Sequence, residues 1–422
     1  MNKTLKILLL AVAALIVQPS QAADPTATNY PVEDCLGSAK PYPAPEDPAV
    51  YPDSLTPMTI NHVGRHGARF LSSAKTTVEL IRTLSRADSA GVLTPLGKEL
   101  LTTARYVADI SHSRWGALDS LGMAEQRGIA SRMFMGYPKL FTDGKVNAIS
   151  SYSPRCVMSM YEFTHQLDRL NNRVELYTSS GHQNSPLMRP FDVNRDYIEW
   201  AETREWEPPY EMFFSTTAPA SPARRLVSDA SFLSADEAQQ LSWTEYKVLA
   251  GLPAMGMAVD LAKYFTKEEL NALWACENLG HYLRRTATVL SSEPAQIAGE
   301  LLLDIITDID AAVEGKNRYN VQLRFGHAET LMPLLSLMRL KGCYYMTNYY
   351  DTVAMHWKDF DIVPMAANLQ IVLFRTDKGD WCVRVDLNEK PLPLLPNSDK
   401  IYTPWSEARE YLVHCLPLIL QP

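Results

Sequence analysis

The chain has 422 residues, 46% hydrophobic and 21% charged, which is the balance of an ordinary soluble globular protein. That length exceeds what one core usually serves, so two domains or one domain with a large insert are expected. The formal net charge is -8, which makes the chain a poor candidate for nonspecific nucleic-acid binding; any anion must be held in a locally basic pocket.

Residues 1–22 read as an export leader. Lys3 and Lys6 form the charged start, 7–17 the apolar stretch, and Ser20-Gln21-Ala22 a small-residue cleavage site. The apolar stretch is short for a membrane span, and no cysteine directly follows the site, so no stable membrane anchor is expected. Cleavage removes two lysines and no acid, leaving 38 basic and 48 acidic residues, or -10. The one sequon, Asn2-Lys3-Thr4, lies in the leader, and export without a glycosylation site fits a bacterial periplasm or secretion. Six cysteines follow: Cys35, Cys156, Cys276, Cys343, Cys382 and Cys415. None has Cys-x-x-Cys spacing, and in an oxidising compartment they allow many pairings, among which the sequence does not choose.

Residues 23–57 are rich in proline and polar side chains and read as an extended segment over the main body. The stretch 58–70 is a short apolar strand broken by Gly64 and Gly67 into a tight loop, Arg65-His66-Gly67-Ala68-Arg69. Its two guanidinium forks suit phosphate oxygens, and the imidazole between them can be a neutral nucleophile. Helical spacing follows at 74–87, at 95–110 behind Thr94-Pro95, and at 121–135. A strand at 146–151 leads into Ser153-Pro154-Arg155. Ser153 is a suitable N-cap, and Arg155 falls in a first helical turn where an anion is favoured.

From 185 to 298 the pattern is mainly helical, with runs at 235–251, 258–264 and 267–290. This insert carries Arg189, Arg195, Arg204, Arg224, Arg225, Arg284 and Arg285. A helix at 300–312 and a strand at 320–325 precede His327-Ala328-Glu329 and a further helix. Residues 371–375 and 381–387 form a hairpin around Asp377-Lys378-Gly379-Asp380.

Alternating strands and helices predict an α/β fold with a mostly parallel sheet flanked by helices, split over 23–184 and 300–422, with a smaller all-α insert domain at 185–299. Sites in such sheets form outside the carboxyl ends of the strands, so one crevice can gather Arg65, His66, Arg69, Arg155, His327 and Glu329. Phosphoryl transfer to a histidine needs that set: cations for the oxygens, an in-line nucleophile, and an acid for the departing group. His62, His112, His165, His182, His281, His356 and His414 read as structural or surface residues, and Cys156 as a buried small residue.

On these residues the chain resembles the histidine acid phosphatases of the second clade and, within them, the multiple inositol polyphosphate phosphatases and phytases. Residues 65–69 match the family signature and 153–159 its second arginine segment. His327-Ala328-Glu329 matches the inositol polyphosphate subgroup, where most acid phosphatases have His-Asp. The resemblance runs from about residue 30 to the end. It implies a phosphoglycerate mutase-like α/β domain with a smaller α domain, and no cofactor or metal. It also implies that His66 becomes a phosphohistidine and that Arg65, Arg69, Arg155 and His327 hold the phosphate. Glu329 is then the proton donor, which next assists water.

Inositol hexakisphosphate and lower inositol phosphates are the expected substrates. Six phosphates at about -1.5 to -2 each call for an outer basic ring, for which Arg189, Lys75 and the basic residues of the insert are candidates. The alternatives are a broad-specificity periplasmic acid phosphatase or sugar-phosphatase, a noncatalytic phosphate or phytate binder, and a mutase-type activity. Oligomeric state is not legible in the sequence.

Overall fold

A computed structural model of the chain describes residues 28–142 and 144–421; the expected leader lies outside the described residues. Strand β1 (Leu55–Arg65) lies inside an eight-stranded sheet with β2 (Lys145–Ser150), β3 (Glu175–Ser180), β4 (Val321–Gly326), β5 (Asn368–Thr376), β6 (Trp381–Leu387), β7 (Lys390–Leu392) and β8 (Tyr402–Pro404). The order is β3-β2-β4-β1-β5-β6-β7, with β8 also on β6. The pairs β1–β4, β4–β2 and β2–β3 are parallel. The pairs β1–β5, β5–β6, β6–β7 and β6–β8 are antiparallel.

The expected parallel character therefore belongs to one half of a mixed sheet. Parallel neighbours need a long crossover, and the helical segments between β1, β2, β3 and β4 supply it. The β5–β6 connection is the short Asp377–Asp380 turn, with Gly379 at φ +89, and so short a link permits only antiparallel pairing. Strands β3, β7 and β8 gave no sequence signal. The first is largely exposed, with Leu176 its one aliphatic side chain on the core, and the other two have three residues each, with Pro391 and Pro404 among them.

Helices of eight or more residues are α1 (Lys75–Ser89), α2 (Pro95–Ile110), α3 (Ser120–Gly136), α4 (Pro154–Leu170), α5 (Arg195–Thr203), α6 (Glu207–Thr217), α7 (Ala235–Leu249), α8 (Lys267–Arg285), α9 (Gly299–Val313), α10 (Ala328–Leu337) and α11 (Trp405–Cys415). Two expectations for the insert change. Residues 258–264 make only a short turn, Leu261–Lys263, because Gly256 turns left-handed (φ +66) and Thr266 already caps α8. Helix α8 stops at Arg285 rather than near 290, because Thr286 is extended (φ -128, ψ 164). Ser153 does stand before α4, but its hydroxyl makes no capping bond. Its N–H donates instead to Ser151 Oγ at 3.3 Å.

Both faces of the sheet are covered. On one, Met133 of α3 and Phe163 and Leu167 of α4 pack with Val146, Leu323 and Phe325. On the other, a single buried cluster runs from Val63 and Ile371 through α9 and α10 to Leu273 and Trp274 of α8. The helical region is thus joined to the sheet through continuous apolar packing. All six cysteines are free thiols, five of them buried.

Candidate active site

Sheet register brings the three loops together. Arg65 is opposite Gly326 across β1 and β4, and Ser150 is opposite Phe325 across β2 and β4. His66, His327 and the start of α4 therefore leave one rim of the sheet side by side. The His66 and His327 ring centroids are 5.7 Å apart at 75°.

His66 is 3% exposed, and its Nδ1 lies 2.9 Å from the Gly67 carbonyl oxygen. A carbonyl only accepts, so Nδ1 carries the hydrogen and Nε2 the lone pair. Burial, followed by the charges of Arg65, Arg69, Arg155 and His327, holds the imidazole pKa well below its ordinary value. The neutral ring is thereby favoured.

Three guanidinium groups surround it. Arg65 Nη1 donates to the carbonyls of Ser38 (2.6 Å) and Val363 (2.5 Å), and Arg69 Nη1 donates to Phe70 O (2.9 Å). Arg155 Nη2 is 3.2 Å from His327 Nδ1. In all three arginines the Nε–H is buried without a hydrogen-bond partner. Burial lowers Arg65 to about 10, with Arg155 adding to the effect; it lowers Arg69 to about 9, with Arg65 and Arg155 adding to it. Buried like charges are costly, and a dianion at their centre relieves that repulsion.

His327 is held from two sides. Its Nε2 is 2.8 Å from Arg189 Nη1 and 3.2 Å from Ser151 Oγ. Burial pushes its pKa down to about 3; Glu329 acts to raise it, and Arg155, Arg189 and Arg65 each act to lower it. A neutral imidazole accepts at one nitrogen only. Nε2 takes the closer Arg189 donor, so Nδ1–H and Arg155 stand together as donors for one phosphate oxygen. Cys156 is fully buried with a thiol pKa pushed up to about 11; its Sγ–H donates to Gly326 O at 3.1 Å.

Arg189 and Arg285 both lie against aromatic rings. The Arg189 guanidinium lies 4.8 Å from the Tyr152 ring and 4.8 Å from the Phe191 ring, and it also pairs with Asp192 at 2.6 Å. Arg285 lies 5.7 Å from the Phe191 ring and donates to Tyr197 OH at 2.5 Å. Glu329 sits in the first turn of α10 and lines the cavity. Burial favours its neutral form, but Arg285, His327, a backbone N–H and Arg65 hold the carboxyl well below the usual range.

The cavity holds about 300 Å³ and is bounded by Arg65, His66, Arg69, Arg155 and Glu329 at one end and by Lys247, Glu277 and His281 at the other. The outer basic ring expected from the insert is thin. Arg189 is turned onto His327 rather than outward. Lys75 is exposed at the start of α1, where the helix turns Thr76 and not Lys75 to the cavity. Arg195, Arg204 and Arg225 pair with Glu199, Glu207 and Glu269. Arg224 donates to Ala230 O, and Arg284 to Gly280 O. Lys247 lines the far wall but is paired with Glu277, and His281 Nδ1 is 2.8 Å from Asp359.

The grip of Arg285 on Glu329 is testable. Arg285→Met removes the largest force lowering that pKa, so the Glu329 titration, followed by carboxyl NMR, should move up toward the ordinary glutamate range. An unmoved titration would show that this guanidinium does not set it.

A family model described as histidine phosphatase superfamily (branch 2) matches residues 59–388, from within β1 to just past β6. The human multiple inositol polyphosphate phosphatase 1 is 27% identical over 394 residues, covering 84% of this chain and 79% of that protein. The crystal structure of Bifidobacterium longum multiple inositol polyphosphate phosphatase, in complex with inositol hexasulfate, superposes with a TM-score of 0.76 at 17% identity. It covers 91% of this chain and 99% of that one. The phytase from D. castellii superposes with a TM-score of 0.68 at 16% identity, covering 95% and 88%. The two structures share the fold, and the family match spans most of the chain. This protein belongs to branch 2 of the histidine phosphatase superfamily.

Proposed function

We propose that the chain hydrolyses the phosphomonoesters of inositol polyphosphates, inositol hexakisphosphate among them, through a phosphohistidine on His66. The observation that carries this reading is a neutral imidazole with a free Nε2, enclosed by three guanidiniums whose Nε–H groups lack acceptors. In the first step Nε2 forms a bond to phosphorus while the ester P–O bond breaks, and the departing alkoxide takes a proton from Glu329. In the second, water attacks phosphorus, Glu329 takes its proton, the N–P bond breaks and inorganic phosphate leaves. Arg65, Arg69, Arg155 and His327 stabilise the transferring group in both steps.

The free enzyme holds Glu329 ionised, so the proton it gives must arrive with the substrate. A phosphate monoester loses its second proton near pH 6, so the monoanion can deliver one. Turnover on this reading falls as pH rises through that ionisation.

The inositol polyphosphate assignment is supported by the His327-Ala328-Glu329 form and by likeness to enzymes named for that substrate. One observation favours a broader acid phosphatase: Lys247 and His281 on the far wall are each paired with a carboxylate, leaving little free positive charge there. Turnover of inositol hexakisphosphate relative to a simple sugar phosphate separates the two readings. We also propose export through residues 1–22 into a periplasm or medium, on the Lys3, Lys6 and Ser20-Gln21-Ala22 pattern. Amino-terminal sequencing of the mature protein should begin near Ala23.

His66→Ala should lower turnover by about 10³-fold or more while leaving the protein folded. Wild type mixed with labelled substrate and quenched in denaturant should carry phosphate on His66; a label elsewhere would remove it as nucleophile. Glu329→Gln should slow poor leaving groups by roughly 10²- to 10⁴-fold and an activated aryl phosphate far less. Equal slowing of both would count against its role as the acid.

A further inference from the structure

Every backbone polar group of residues 65–68 has a partner. Arg65 N–H donates to Ala367 O (2.7 Å), and its carbonyl accepts from Gln126 Nε2 (2.9 Å). His66 N–H donates to Gly326 O (3.1 Å), and its carbonyl accepts from Ala366 N–H (3.0 Å). Gly67 N–H donates to Ser159 Oγ (3.1 Å), and its carbonyl accepts from His66 Nδ1. Ala68 N–H donates to Glu125 Oε2 (2.7 Å), and its carbonyl accepts from Asp119 N–H (2.9 Å). Three of these partners are side chains on α3 and α4, and the loop lies hard against α3. A Cβ at Gly67 would fall 2.4 Å from the Gly122 carbonyl oxygen.

Glu125 differs from the other two side chains. It carries a carboxyl group, is 9% exposed, and does not line the cavity; burial raises its pKa, against which the Tyr42 and Ala68 N–H groups and Arg65 favour the carboxylate. Its second oxygen, Oε1, accepts from Tyr42 N–H at 2.8 Å. Tyr42 belongs to the segment that also presents Ser38 O to Arg65 Nη1. One carboxylate thus ties the loop bearing the nucleophile to the segment that aims the neighbouring guanidinium. Two N–H donors converge on two oxygens, an arrangement only a carboxylate satisfies. An amide accepts at one end and presents a donor to the other N–H.

We propose that Glu125 is a positioning residue for phosphoryl transfer, clamping the His66 loop and the Ser38–Tyr42 segment in one register so that imidazole and guanidinium meet the same phosphate. The proposal rests on the phosphohistidine reading, because register matters only if Nε2 must approach phosphorus in line.

Glu125→Gln keeps the shape and removes one acceptor. Misplacement on the ångström scale costs on the order of 10²-fold in rate, so kcat should fall roughly 10- to 100-fold, with KM within about threefold. Inorganic phosphate should still raise the thermal midpoint as it does in wild type, because the guanidiniums remain. A folded variant with kcat within about twofold of wild type overturns the proposal. So does a parallel loss of kcat, phosphate protection and thermal midpoint, which is the mark of a merely structural anchor.

Should Glu125→Gln not fold, Ser159→Ala carries the test, since it frees the adjacent Gly67 N–H without removing a charge. A fall in kcat of about 3- to 30-fold at unchanged KM supports the clamp, and unchanged kcat overturns it. Failure of the phosphohistidine reading shows in wild type, as an absence of trapped phosphate on His66. Failure of the clamp shows in the variants alone.

Discussion

Three guanidiniums confined around one neutral imidazole are the constraint from which the rest of the structure follows. Left to themselves such groups separate, because like charges out of water repel strongly. Here Arg65 and Arg69 are tied down by something other than a carboxylate. Carbonyls of Ser38 and Val363 hold Arg65, and the Phe70 carbonyl holds Arg69. Arg155 stands beside His327, its Nη2 3.2 Å from Nδ1. Neutral acceptors fix position without cancelling charge, so the field stays available to a ligand. Glu329 is the nearby anion, and its ionised form in the free enzyme follows from the same field.

The parallel half of the sheet is what makes that crowding possible. Parallel strands end on the same rim, so residues following β1, β2 and β4 become neighbours although they are far apart in the chain. The antiparallel half serves the same loop from behind. The short segment before β5 supplies the Ala366 N–H and Ala367 carbonyl that bracket His66 and Arg65. A mixed sheet therefore does two tasks around one residue.

How much of this was legible depended on how local the signal was. The loops at His66, Arg155 and His327 stood out because each follows an apolar strand and is punctuated by glycine or proline. Strand β3 did not, because it is a largely exposed edge with one aliphatic residue, Leu176. In the sequence Arg189 is one of several candidates for an outer basic ring. Its place on His327 depends on stacking between Tyr152 and Phe191, which no spacing encodes. Arg285 was one arginine among several on the insert. Glu125 and Gln126 did leave a trace. They share the buried stripe of α3 with Gly122, Ile129 and Met133, and acid and amide groups on an apolar face ask for partners.

The helical region and one face of the sheet bury their apolar side chains in a single mass, with Trp274 and Val63 in the same cluster. The two walls of the cleft are consequently built on one core, and moving one against the other would open apolar packing that they share. Discrimination between ligands then falls to dimensions and charge set during folding, and a molecule of the wrong breadth is refused at the entrance instead of being reshaped inside.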